Sequence, residues 1–180
     1  MGSSSPAPKL GNPAGLGLAG FALTTFLLSA ANAGLLPGSD VWMGFALFYG
    51  GLAQLFAGMW EFATGNTFGA TAFGSYGAFW LGTAFYVWFW APKSGNVGAD
   101  LAWLLGAWTI FTAYMTLESF RINNPPVMWV FVVLLVTFVL LWLGAALHQA
   151  GLTQVGGYLG IVTALLAWYA SYKAVHNSIA

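Results

Sequence analysis

The side chains in this sequence that could act on a solute are mild polar ones set inside long apolar runs: Thr24, Thr25 and Ser29, then Gln54, then Thr71, Ser75 and Tyr76, then Thr109, Thr112 and Thr116, and finally Thr163. Hydroxyls and amides at membrane depth can replace part of a small solute's hydration shell and then release it, as pore linings do. The Thr24-Thr25 pair, one turn past Phe21 in a segment rich in Gly and Ala, is the best-placed lining pair. Ser and Thr in membrane helices also bond back to their own carbonyls or join neighbouring helices, which is the usual role of an isolated Thr.

Groups that would make or break bonds are scarce. There is no Cys, and the 2 His, His148 at a turn and His176 near the C-terminus, do not point to a shared haem or metal cavity. No Lys sits in the middle of an apolar run to form a Schiff base, and neither Asp40 nor Asp100 lies deep in one. The sequence therefore predicts no catalytic residue, no metal and no cofactor. Glu61 and Glu118 close two of the runs, where a carboxylate ordinarily snorkels to the interface and proton coupling is the lesser reading.

The elements that hold these residues follow from composition. At 59% hydrophobic and 4% charged, with Lys+Arg 4 against Asp+Glu 4, the chain has too little polar surface for a soluble domain and no basic face for nucleic acid. A spanning helix needs about 20 apolar residues. Six runs qualify: Gly15 to Asn32, Val41 to Phe62, Thr67 to Trp90, Ala99 to Ser119, Val127 to Leu147 and Leu152 to Tyr172. Turn residues and most charges fall between them, as at Pro37-Gly38-Ser39-Asp40 and Pro92-Lys93-Ser94-Gly95-Asn96, while Glu61, Asp100 and Glu118 sit at the ends of runs. Unbroken runs of this length argue against a membrane β-barrel.

The expected fold is thus an all-α integral membrane protein with six transmembrane helices over residues 11–175, a Ser/Pro/Gly tail over residues 1–10 and a short C-terminal tail over residues 176–180. Lys9, Arg121 and Lys173 share a side with the termini and Lys93 lies opposite, which predicts cytoplasmic termini in a cell membrane. Trp42, Trp60, Trp88, Trp90 and Trp168 fall at run ends as an interfacial belt.

An Asn precedes each odd run at nearly equal spacing: Asn12-Pro13, Asn66-Thr67 and Asn124-Pro125-Pro126. Read as a repeat, this predicts three parallel helix hairpins whose odd members gather around one axis. Three helix N-termini would then turn their partial positive charge toward one mouth and attract anions. Asn and Pro also punctuate turns with no repeat behind them.

The block Asn12-Pro13-Ala14-Gly15-Leu16-Gly17-Leu18-Ala19-Gly20-Phe21 resembles the N-terminal motif of the acetate uptake transporters, the succinate/acetate permease family. The likeness continues through Asn32-Ala33-Gly34, Phe48 to Gly58, Gly65 to Gly77 and, more loosely, Val155 to Gly160. Gly15 stands where many members carry Pro, which changes how the first helix begins. The resemblance implies a homohexamer in the lipid bilayer, each protomer carrying its own pore for acetate, other small monocarboxylates or succinate. It implies an apolar constriction at Phe21, Tyr76 and Leu134, one residue per odd helix and each at nearly the same offset after its Asn. Asn12, Thr24, Thr25, Gln54, Asn66 and Thr67 are the expected substrate-binding residues. A structural or assembly membrane protein and a channel for neutral solutes remain as alternatives.

Overall fold

The computed structural model describes residues 10–179, all of its regular structure helical. Most of the expected N-terminal tail, with Lys9, lies outside the described residues. In order, the chain forms α1 (Ala14–Asn32), α2 (Val41–Leu47), a π-helical stretch (Phe48–Ala53), α3 (Gln54–Ala63), α4 (Thr67–Phe85), a second π stretch (Tyr86–Trp90) with a short 3-10 turn (Ala91–Lys93), α5 (Val97–Ser119), α6 (Pro125–Ala146) and α7 (Ala150–Ile179). The last helix continues through His176 to Ile179, so these residues, expected as part of a C-terminal tail, extend it, and Ala180 lies outside the described residues.

By length and apolar composition, Ala14–Asn32, Val41–Ala63, Pro125–Ala146 and Ala150–Ile179 are able to cross a membrane. α4 and α5 fall short of that mark, although both were expected as spans. Gly, Ser, Thr and Tyr dilute the first, and Asp100 with several Thr, Trp and Tyr dilutes the second.

The turn residues act as caps. Asn66, Asn96 and Asn124 precede α4, α5 and α6, and each side-chain carbonyl accepts from a backbone N–H three residues on, at 3.0, 3.1 and 3.4 Å. Asn12 accepts from the Ala14 N–H at 3.0 Å. Because Asn96 does the same work outside the expected repeat, capping accounts for the Asn positions without any symmetry. At the end of α3, Gly65 takes φ +78° while Asn66 N–H donates to Glu61 O at 2.9 Å and Gly65 N–H to Phe62 O at 3.1 Å. This Schellman closure brings the first residue before α4 back over Glu61.

Inside a bilayer, helices associate by close packing, because lipid tails are as apolar as Leu. α1 packs on α7, α7 on α6, α6 on α5 and α3 on α4. The π stretch, with its loosened carbonyl pattern, lies against α1 at Gly20, where an added Cβ would sit 2.6 Å from the Tyr49 carbonyl oxygen. Gly20→Ala should therefore cost about 1–3 kcal/mol by overpacking, read as a lower unfolding midpoint in detergent. Gly82→Ala, with nothing within 4 Å of the new methyl, should cause no such loss.

Candidate functional site

Two cavities open from opposite ends of the bundle, and Phe21, Tyr76 and Leu134 are the residues they share. The smaller, about 190 Å3, lies among the starts of α1, α4 and α6 and the end of α3. The larger, about 580 Å3, lies among the far ends of α1, α4 and α6 with the start of α5. At roughly 30 Å3 per water in the liquid, either has room for a two-carbon acid.

Helical periodicity puts the shared residues where they are. On α1, Leu18, Phe21, Thr25 and Leu28 recur every three or four residues along one face. Ala72, Tyr76, Trp80 and Thr83 do so on α4, and Val127, Val130, Leu134 and Thr137 on α6. Each face begins in the smaller cavity, passes the shared residue and ends in the larger.

Phe21, Tyr76 and Leu134 are 5%, 3% and 4% exposed. The Phe21 and Tyr76 rings lie 5.7 Å apart between centroids. Tyr76 is fixed by Phe111 at 5.3 Å, Trp108 at 5.7 Å and Phe131 at 6.2 Å, and its hydroxyl lies 2.8 Å from Thr112 Oγ1. Three apolar faces from three helices thus stand between the cavities, one of them tethered by a hydrogen bond.

The expected substrate-binding residues divide. Thr25 lines the larger cavity and its buried hydroxyl has no hydrogen-bond partner among the described residues. Gln54 lines the smaller and is 1% exposed, with Oε1 likewise unpartnered. Asn66 also lines the smaller cavity, but its carbonyl caps α4 and its amide donates to Glu61 Oε2 at 2.8 Å.

Thr24 must be corrected: it lines neither cavity and donates to Gly20 O at 2.9 Å, packed against Gly50 of the π stretch. One residue of helix turns a side chain through about 100°, enough to send Thr24 into the helix seam and Thr25 into the cavity. Thr67 and Asn12 are exposed and also line neither cavity. Thr109, Thr116, Thr137 and Thr163 each donate to the carbonyl four residues earlier, at 2.7 to 3.0 Å, the usual role of a membrane Thr.

Two polar groups were missed by the sequence reading, and Glu61 was expected to snorkel. Trp80 Nε1 and Thr83 Oγ1 are buried and unpartnered in the larger cavity. Their signal was present: with Tyr76 they sit at i, i+4 and i+7 on one helix face. Glu61 is 1% exposed and lines the smaller cavity, so it does not snorkel outward. Glu118 does, pairing with Arg121 at 3.2 Å on the surface.

An apolar helical bundle in which two facing cavities meet at an aromatic and aliphatic partition defines a polytopic membrane protein. The model of the GPR1/FUN34/yaaH family matches residues 2–179, and the chain belongs to that family. It is 39% identical to the succinate-acetate/proton symporter SatP of Escherichia coli (strain K12), over 94% of this chain and 90% of that one. It is 41% identical to ammonia transport outward protein 2 of Saccharomyces cerevisiae, over 95% of this chain but 64% of the yeast protein, so it spans under two thirds of that relative's length. The solved structure of the bacterial acetate channel SatP superposes with a TM-score of 0.88 at 38% identity, covering 94% of each chain.

Proposed function

We propose that the chain conducts small carboxylates, chiefly acetate and also succinate, through a pathway inside each protomer, with Phe21, Tyr76 and Leu134 as its constriction. The observation that carries this reading is the pair of cavities lined in common by those residues alone. The names of the bacterial relatives supply the substrate class.

An ionised carboxylate loses much hydration at an apolar neck. In the larger cavity Thr25, Thr83 and Trp80 each carry an O–H or N–H donor that is buried and unengaged. A hydrogen bond to a charged group contributes about 1.5–3 kcal/mol, so two or three such bonds offset a substantial part of the lost water. The N-terminal ends of α1, α4 and α6 converge on the smaller cavity and add favourable potential for an anion. The methyl of acetate meets Phe21 and Leu134, and a bulkier group passes them more slowly.

The full assembly in this proposal has six membrane crossings, α4 and α5 being carried between the more apolar helices, with both termini on the cytoplasmic side. The three-hairpin repeat belongs to this proposal on the strength of the lining that α1, α4 and α6 share, since capping alone accounts for the Asn positions. Copies associate into a homohexamer, and lipid and neighbouring copies cover outward apolar faces such as Trp103, Ile110 and Leu117 of α5, which are 83%, 72% and 67% exposed in the single chain.

Liposomes carrying the protein should take up acetate far faster than the bulky anion gluconate. Equal, background rates for both would favour a structural role instead. The yeast relative's name favours one second reading, passage of ammonia through the uncharged partition. That reading predicts solute flux insensitive to carboxylate competitors, whereas the present one predicts acetate flux depressed by propionate.

A further inference from the structure

The two cavities leave opposite chemistry unengaged. In the larger, Thr25 and Thr83 present hydroxyls and Trp80 an indole N–H, all of which can donate. In the smaller, the unpartnered buried atoms are Gln54 Oε1 and Glu61 Oε1, both acceptors. An anion is suited to the first set and opposed by the second.

Glu61 is held firmly in this position. Its Oε2 accepts from Asn66 Nδ2 at 2.8 Å and from Thr64 Oγ1 at 3.3 Å, which leaves Oε1 as the free oxygen. The Gly65 closure places Asn66 for that bond, and Gly69 of α4 leaves room for the carboxyl, since a Cβ there would lie 2.9 Å from Glu61 Cδ.

Among the described residues no cation lines this cavity. α1 presents Ala14, Leu18 and Phe21 to this cavity, and α6 presents apolar side chains headed by the Asn124 cap. α4 presents Tyr76 as the other titratable group, its hydroxyl engaged with Thr112. Arg121, in the turn that also supplies Ile122, is paired with Glu118 on the surface. Two ionised carboxylates in so small an apolar space repel, while one proton between them makes a strong charge-assisted hydrogen bond.

We propose that Glu61 is the residue through which the smaller cavity accepts a carboxylate, the Glu61 carboxyl and the substrate carboxylate sharing one proton across an O–H···O bond. This rests on the carboxylate reading above. The proton enters from solvent with the acid, resides between the two oxygens and departs with the acid, so each acid moving through that cavity carries one proton and no electrons change hands. Gln54, two turns before Glu61 on α3 and lining the same cavity, offers its amide to the acid as it moves along the lining.

The test is protein-dependent acetate flux into liposomes at fixed total acetate across a pH series, after subtraction of protein-free vesicles. Glu61→Gln keeps an oxygen for Asn66 and replaces the proton-bearing oxygen with an N–H that donates at every pH. Wild-type flux should fall as pH rises, approaching about tenfold per pH unit where one proton is required. Glu61→Gln should be flat to within about twofold over a span in which the wild type changes by that factor. Glu118→Gln should follow the wild type.

A Glu61→Gln profile as steep as the wild type overturns the assignment alone, whereas a wild type with no acetate flux at any pH overturns the carboxylate reading and this proposal with it. Infrared difference spectra of the wild type keep the question decidable if the variant does not fold. Adding isotopically labelled acetate should alter a protein carboxylic-acid carbonyl band, and no such change would count against Glu61.

Discussion

Leu134→Ala should raise the passage of monocarboxylates bulkier than acetate, such as lactate and butyrate, relative to acetate itself. Leu134 is the aliphatic member of the shared lining, and truncation removes most of its side chain from between the cavities. A pocket discriminates by about 1–3 kcal/mol for each methylene it cannot house, so lactate or butyrate flux should rise at least about tenfold relative to acetate. A buried Leu→Ala change in a closed core costs about 2–5 kcal/mol. Here the vacated volume joins two existing cavities, and the stability loss should sit at or below the low end of that range. Unchanged selectivity in vesicles would remove Leu134 from the constriction. Phe21 and Tyr76 are less useful first targets, because the aromatic cluster around Tyr76 would relax along with the neck.

Gln54→Leu should raise the half-saturating acetate concentration by about ten- to a hundredfold, the loss expected from one hydrogen bond to a charged group at about 1.5–3 kcal/mol. The side chain is 1% exposed and lines the smaller cavity, where its amide N–H is the group that can donate to a carboxylate. A buried unsatisfied amide is costly and is retained where a ligand uses it. Because Leu has similar volume and no polar atom to satisfy, the folded protein should be as stable as the wild type or more so. Higher stability with weakened acetate dependence would separate a binding role from a packing role. Unchanged half-saturation would mean that Gln54 does not meet the substrate.

How far these residues could be read from the chain alone depended on what a bilayer does to pattern. Long apolar runs and clustered turn residues located most helices within a few positions. Phe21, Tyr76 and Leu134 came from the family resemblance, and their similar offsets from a helix-starting Asn, at about 1.5 Å of rise per residue, put them at a similar expected depth.

Rotation about the helix axis was much less legible. When lipid lies outside and apolar packing inside, both faces of a helix carry the same residue types, and the periodicity that marks a soluble core largely disappears. Hence Thr24 was grouped with its neighbour although it faces the π stretch, and Trp80 and Thr83 were passed over although they share a stripe with Tyr76.

Glu61 was expected to snorkel for a different reason. A carboxylate at the end of an apolar run ordinarily reaches water, and only the backward turn at Gly65-Asn66 encloses this one. The π stretch at Phe48–Ala53 was also invisible, since Gly50 and Gly51 are equally compatible with an unbroken α-helix in close contact.

If one protomer encloses the whole route of a small carboxylate, bromoacetate, whose heavy atom marks its position by anomalous scattering, should be found inside it in crystals of the assembled protein. Bromine peaks are expected in both cavities of each protomer, one beside Thr25, Thr83 and Trp80 and one beside Gln54 and Glu61, with Phe21, Tyr76 and Leu134 between them. Peaks confined to the spaces between protomers, with both internal cavities empty at saturating ligand, would contradict it.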